Sequence, residues 1–384
     1  MNFSIKLLLF ILLTFSSVSA FSKTGELKFL HFTNDDGLPS SYVRSLSQDK
    51  YGFIWAAARS SICRFDGQYF KTFKAVDENG VRIDLWSTNI FSFNDSILIT
   101  VTTDSVYYYF DYEAECFRKH TQLNNSGKIT DLQYSASGIW LIGGDEVRLQ
   151  KNNSDEIIPV SKVIDFQEPE NHLKIINLRE NNNKIVALTK SNLMLVFDLG
   201  NNLQRTFNLP DGITGTDVTI FYTDQNNHVW LGTTENGLYK MNLNSGSSVY
   251  YSAKKSGGQY LLHNMVHSIA EDHQGRVWIG TENGLCIWSP YTETFDYYQY
   301  DIHNPDGLNT NPIYDIFCDR DGNMWLGTYF GGINFWNSEE EFFRVWQAGT
   351  GDYHIGGNAV SSISEDNNGN IWLGMEDRGV NRID

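Results

Sequence analysis

Along most of the chain, apolar and polar residues alternate with period two in short runs, and the runs are separated by brief polar turns rich in Gly, Asn and Asp. That alternation predicts β-strands with one face in a core, and the 3.6 spacing of an amphipathic helix is absent. The segment from Ile313 is typical. IYDIFCD alternates as a strand, RDGN is a turn, MWLGT is a second strand, YFGG a second turn, INFWN a third strand, and EFFRVWQ, after SEE, a fourth.

The same order recurs. DRDGNMWLGT (Asp319 to Thr328) has sister copies in YTDQNNHVWLGTTENGLYKMN from Tyr222, EDHQGRVWIGTENGLCIWSP from Glu271 and EDNNGNIWLGMEDRGVNRID from Glu365, with a divergent copy, SQDKYGFIWAAARSSICRFDG, from Ser47. Trp230, Trp278, Trp325 and Trp372 stand 48, 47 and 47 residues apart. Weaker copies continue upstream at Trp55, Leu98, Trp140 and Ile185, with steps of 43, 42, 45 and 45 up to Trp230. Four strands per unit, with about 45 residues per unit, predicts an all-β fold: a β-propeller of four-stranded antiparallel blades. Seven full units run to about residue 350, and a partial eighth covers residues 358–384.

Two rings satisfy this pattern. LKFLHFT, Leu27 to Thr33, is an unaccompanied strand before the first unit, and the last unit shows only three strands, in VSSISED, NIWLGM and GVNRID. An eight-bladed ring would use the N-terminal strand to complete the last unit. A seven-bladed ring would leave the eighth unit as the beginning of a second propeller.

Within each unit the Asp-x-x-Gly step suits a tight turn, because aspartate caps backbone N–H groups and glycine tolerates positive φ. Asp272, Asp319 and Asp366 are therefore expected to hold turns. Trp55, Trp140, Trp230, Trp278, Trp325 and Trp372 are expected to pack between blades, the following Gly-Thr leaving room. A calcium loop at Asp319 and Asp321 is the alternative, but the sister turns QNNH and HQGR lack the carboxylates it needs. No metal or cofactor is expected.

The first twenty residues, MNFSIKLLLFILLTFSSVSA, read as a secretory signal peptide, with Lys6, an apolar run from Leu7 to Phe15 and cleavage after Ala20. No other stretch approaches a membrane span. The formal charge of −17 becomes −18 once a leader bearing only Lys6 is removed, so nucleic acid is a poor partner. Cys63, Cys116, Cys286 and Cys318 show no CxxC or zinc spacing. They read as small buried strand residues, a bridge requiring adjacent blades to bring Cys286 and Cys318 together.

The run FTNDDGLPSSYVRSLSQDKYGFIWAAARSSICRFDGQYFKTF, followed by repeated D-x-x-G-x-x-W-[LI]-G-T-x-x-x-G-L, resembles the regulator-propeller repeats of periplasmic sensor regions in bacterial hybrid two-component systems, over residues 26 to 384. The resemblance implies a periplasmic location and an oligosaccharide ligand released from complex polysaccharide. It also implies a homodimer whose rearrangement controls a kinase. In that family two propellers, usually of seven blades, precede an immunoglobulin-like domain, one membrane span, a kinase, a receiver and a DNA-binding module. None of the later modules is evident here, so a partial sensor and a stand-alone propeller both remain open.

Propeller ligands commonly sit at one channel mouth. The loops between second and third strands supply Arg59, Asp104, Asp145, Lys190, Glu235, Glu282, Tyr329 and Arg378. Those joining one blade to the next supply Arg82, Trp86, His263, Tyr353 and His354. Aromatic rings beside charged side chains suit sugars, whose CH faces stack and whose hydroxyls need hydrogen-bond partners. The leading expectation is a ligand-binding sensor without catalysis. A sialidase- or lyase-like enzyme lacks its arginine cluster here, a quinone-dependent dehydrogenase lacks its vicinal cysteines, and a WD-type scaffold lacks its Gly-His and Trp-Asp dipeptides.

Overall fold

The computed structural model describes residues 27–383 apart from 60, 78, 94–96, 103, 105, 122–128, 130, 136–137, 144–145, 152–156, 160–174, 182–183, 199–202, 255–258, 340–346, 349–353, 358, 367–368 and 377. The leader lies outside the described residues. The chain divides into two compact units, one spanning Glu26–Trp336 and one containing Asn337–Asp384.

The larger unit is a ring of seven sheets. It opens with β1 (Leu30–Phe32). Blade 1 is β2 (Val43–Gln48), β3 (Ile54–Ala58), β4 (Ser61–Phe65) and β5 (Phe70–Phe73). A hairpin, β6 (Ala75–Val76) and β7 (Arg82–Ile83), adds to the outer edge of blade 2, which is β8 (Ser87–Phe93), β9 (Ile97–Thr102), β10 (Tyr107–Asp111) and β11 (Cys116–Lys119). Blade 3 is β12 (Asp131–Ser135), β13 (Gly138–Gly143), β14 (Glu146–Lys151) and β15 (Ile157–Pro159). Blade 4 is β16 (Ile175–Asn181), β17 (Lys184–Thr189), β18 (Leu193–Asp198) and β19 (Leu203–Asn208). Blade 5 is β20 (Val218–Thr223), β21 (His228–Thr233), β22 (Leu238–Asn242) and β23 (Ser248–Tyr251). Blade 6 is β24 (Val266–Glu271), β25 (Val277–Thr281), β26 (Gly284–Ser289) and β27 (Thr294–Tyr298). Blade 7 has β28 (Ile313–Cys318), β29 (Met324–Thr328) and β30 (Ile333–Trp336), and its fourth strand is β1.

That last pairing decides between the two rings. Leu30 pairs with Phe335 and Phe32 with Ile333, antiparallel. The N-terminal strand thus completes the seventh blade, and the eight-bladed account is corrected. The place read for EFFRVWQ is taken by β1, and residues 341–346 of that stretch lie outside the described ones. Phe32 also ties blade 7 to blade 1, its ring lying 5.9 Å from Trp325 and 4.8 and 5.8 Å from Phe65 and Phe70. Blades 7 and 1 meet as other neighbours do. A Cβ on Gly280 would come within 2.9 Å of Ile313 in the next blade, and one on Gly327 within 2.9 Å of Val43.

In the smaller unit, β31 (Gln347–Ala348) pairs with β32 (His354–Ile355), and β33 (Val360–Glu365), β34 (Ile371–Met375) and β35 (Val380–Ile383) form a three-stranded sheet. Ile355, Leu373 and Met375 are its small core.

The repeat motif builds the blade contacts. In blade 7, Asp319 Oδ1 accepts the backbone N–H of Asp321 (3.0 Å) and Asn323 (2.9 Å), while Oδ2 accepts the Trp325 indole N–H at 2.8 Å. The same indole bond joins Asp49 to Trp55, Asp224 to Trp230, and Asp272 to Trp278, at 2.7 to 2.8 Å. Each aspartate therefore satisfies a turn and a buried tryptophan at once. Each tryptophan then faces the next blade: Trp278 packs with Ile313, Ile316 and Trp336 of blade 7, and Trp325 with Val43 and Leu46 of blade 1. The four cysteines are free, on β4, β11, β26 and β28. Burial pushes the thiols of Cys63, Cys286 and Cys318 up to about 12, which leaves them unreactive.

Candidate functional site

The inner strands share an irregularity at their first turn of chain. Register shifts fall between Val43 and Ser45, Val266 and Ser268, and Ile313 and Asp315. The extra residue in each, Arg44, His267 and Tyr314, is re-aimed by the bulge. These positions lie at the start of each inner strand, on the side where second strands hand over to third strands.

Three adjacent blades, 6, 7 and 1, bring their residues together there. The His267 ring stacks on Tyr314 (centroids 4.4 Å apart, 15° between planes), and Tyr314 stacks on Tyr329 at 5.4 Å. Tyr42 meets Tyr329 edge-on at 4.8 Å and Tyr314 at 5.9 Å. The His267 Nε2–H donates to Glu282 Oε2 at 2.7 Å. Burial, and after it the charge of Glu282, pushes the Tyr314 phenol above its usual range, with Arg44 acting the other way. Charge of both signs thus surrounds a partly exposed aromatic surface.

Backbone bonds hold the cluster. The N–H of Gly332 donates to Ser41 O across blades 7 and 1, Tyr329 N–H to Pro312 O, and Glu282 N–H to Met265 O. Thr281 and Thr328, the threonines of the Trp-x-Gly-Thr motif, donate their hydroxyls into the same loops at 2.8 and 2.9 Å. Beneath lies a belt between inner strands. Ser268 Oγ accepts the N–H of Ile316, Asp315 Oδ2 accepts that of Leu46 at 2.6 Å, and Ser45 Oγ accepts that of Ile90. Desolvation pushes the Asp315 carboxyl up to about 7.

The residues read from the sequence separate accordingly. Glu282 and Tyr329 join the cluster. His263 lies nearby in chain, its Nδ1 accepting the Met265 N–H. Trp86, 55% exposed, immediately precedes β8 as Tyr42 precedes β2, and so stands at the same end of its own blade. Arg59, exposed with φ 50°, stands in the β3–β4 loop of blade 1, one of the three blades of the cluster, whereas exposed Glu235, Asp104 and Lys190 stand in the loops of other blades. Arg82 sits on β7, the outermost strand of the blade 2 sheet, with five strands between it and the ring's interior face. His354 and Arg378 belong to the smaller unit rather than the ring. Asp145 and Tyr353 lie outside the described residues. The sequence reading missed Tyr42, Arg44, His267 and Tyr314.

A scan of family models matches the two component regulator propeller at residues 37–60, 260–283, 307–330 and 354–377. The chain carries regulator-propeller repeats. The first three matches span Tyr42 to Arg59, His263 to Glu282 and Tyr314 to Tyr329, the segments that build the aromatic cluster. Histidine kinase P4 of Formosa agariphila is 34% identical over 73 residues, which is 19% of this chain and 5% of that protein. Among solved structures, the extracellular domain assigned to a hybrid two-component system of B. thetaiotaomicron aligns with a TM-score of 0.65 and 21% identity, over 93% of this chain and 48% of that one. A second such domain gives 0.59 and 19%, over 93% and 52%. A streptogramin B lyase gives 0.53 and 12%, over 81% and 97%. This chain thus spans about half of each two-component domain. These likenesses establish the propeller fold, which carries binding and catalysis alike. Among the described residues no helix is long and apolar enough to cross a membrane.

Proposed function

We propose that this chain is the ligand-binding part of an exported sensing region serving a two-component system. Its ligand is an oligosaccharide held at the mouth formed by blades 6, 7 and 1 and left chemically unchanged. The observation that carries this reading is the cluster of Tyr42, Tyr314, Tyr329, His267 and Glu282, built by the segments that match the regulator-propeller family. Stacked rings offer faces for sugar CH groups, and the imidazole, carboxylate and Arg44 offer partners for hydroxyls. Periplasmic placement rests on the leader, and signalling would pass to kinase and receiver modules in the same or a partner polypeptide. On this reading the eighth repeat begins a further propeller.

Thermal unfolding with a panel of polysaccharide-derived oligosaccharides tests it. Ligand at a hundred times its dissociation constant adds about 2.7 kcal/mol. One sugar class is expected to raise the melting temperature, to be recovered intact, and to lose its effect in Tyr314→Ala. Cleavage of that sugar, or a melt that no sugar moves, would overturn the proposal.

A further inference from the structure

At the mouth, the residue extruded by the inner-strand bulge neighbours the first loop residue after the second strand. Val266 pairs with Thr281, Ile313 with Thr328 and Val43 with Ala58, so His267 and Glu282, Tyr314 and Tyr329, and Arg44 and Arg59 hold the same two places in blades 6, 7 and 1. In blade 6 that placement brings imidazole to carboxylate at 2.7 Å, and in blade 7 it stacks two phenol rings at 5.4 Å. In blade 1 both places carry a guanidinium. The two arginines are exposed, and among the described residues neither guanidinium has a hydrogen-bond or ion-pair partner. Elsewhere Arg118 pairs with Asp111 at 2.8 Å and Arg276 with Asp272 at 2.7 Å. Blade 5 holds Thr219 and Thr234 at these places, and blade 4 holds Ile176 and Lys190, so of these five blades only blade 1 doubles the cation.

Like charges on neighbouring strands are unfavourable, and the local turn gives no reason for the second of them. Ala58 pairs with Ser61, which leaves a two-residue hairpin turn whose first place favours Gly, Asn or Asp, yet Arg59 stands there at φ 50°. Nor does a neighbouring acid neutralise the pair. Glu282, the one carboxylate among the six places in blades 6, 7 and 1, is engaged by His267. A cationic corner at the mouth of a chain whose formal net charge is −17 draws anions to that corner. It also adjoins the ring surface. Burial raises the Tyr314 phenol above its usual range and the charge of Arg44 opposes that rise, which puts the guanidinium beside the tyrosine. An anionic group on the arginines would therefore set an adjoining sugar ring against Tyr314 and Tyr329.

We propose that Arg44 and Arg59 select an acidic oligosaccharide, whose carboxylate or sulfate ester the two guanidiniums hold. This rests on the sensing reading above and adds the charge of its ligand. The probes are tetragalacturonate beside its methyl ester, and a sulfated galactan tetrasaccharide beside its desulfated form, titrated calorimetrically into the full chain. One acid is expected to bind, and its neutral counterpart about tenfold or more weakly. Arg44→Gln and Arg59→Gln should each weaken the acid about tenfold, because a charge-assisted contact is lost. Arg118→Gln, the same charge change on β11 of blade 2, should leave it unchanged. Added salt should lower the affinity. Binding of neither acid, equal binding of a neutral counterpart, or unchanged binding to both mouth variants would overturn the inference. The acid-to-neutral comparison decides it without any variant. A neutral oligosaccharide that raises the melting temperature while neither acid binds would remove this charge assignment and leave the sensing reading standing. Cleavage of a bound acid would remove the sensing reading alone, and a melt that no sugar moves would remove both.

Discussion

Blade 7 and the eighth repeat are the same sentence of sequence in two settings. Both form the turn-to-indole bond, Asp319 to Trp325 at 2.8 Å and Asp366 to Trp372 at 2.9 Å. Both carry the same inner-strand bulge, between Ile313 and Asp315 and between Val360 and Ser362. Yet Trp325 is 5% exposed and Trp372 39%, and every residue of β33 is exposed while β28 has buried residues along its length. The motif therefore makes its own turn, whereas burial comes from neighbouring strands. Trp325 gains Phe32 from β1 and Val43 and Leu46 from blade 1. Repeat architectures divide their stability in this way, between a unit's own bonds and its interfaces.

Three experiments would sharpen or break that contrast. The largest effect is expected from deleting residues 27–33, which strips the fourth strand from blade 7 and uncovers Phe65, Phe335 and Trp325. Urea unfolding should show a loss of about 5 kcal/mol, on the scale of removing large buried aromatics. A change under about 1 kcal/mol would mean that β1 does not complete the blade. Next, Trp325→Ala should cost about 3 to 5 kcal/mol and Trp372→Ala about 1 kcal/mol or less, because only the first empties a covered site. Equal losses would erase the distinction.

The third effect is electrostatic. Asp315 sits where the eighth repeat has Ser362, and its carboxyl is raised from 3.8 to about 7 by desolvation. A carboxyl raised on folding binds its proton more tightly in the native state. Its stabilising contribution is therefore full below the ordinary value and is lost as pH rises through about 7. Asp315→Asn should remove that slope, so wild type should gain on the variant as pH falls from about 7 to about 4 in urea unfolding. Parallel curves would show that Asp315 does not titrate in this window.

Much of the ring was legible because the Asp-x-x-Gly-x-x-Trp order fixes both the turn and the strand that follows it, whereas on β9 and β17, which lack the tryptophan, its place is taken by Ile99 and Val186, one residue after the expected Leu98 and Ile185. Ring closure was not, since LKFLHFT and EFFRVWQ are both apolar segments able to add to the free edge of β30, and alternation carries no information about which does. The mouth was half legible. Glu282 and Tyr329 stand in loops that any blade reading exposes, but His267 and Tyr314 sit inside strands, where a bulge reverses the facing that alternation predicts. The available signal was a large polar or aromatic residue at the second position of successive inner strands: Arg44, His267, Tyr314.

The central claim is that residues 27–336 form a complete ring without the eighth repeat. Scanning calorimetry of that segment prepared alone, beside the full chain, tests it most directly. The account predicts one cooperative transition at the temperature at which the ring melts in the full chain. A segment that lacks a cooperative transition, or regains one only when residues 337–384 are restored, would contradict it.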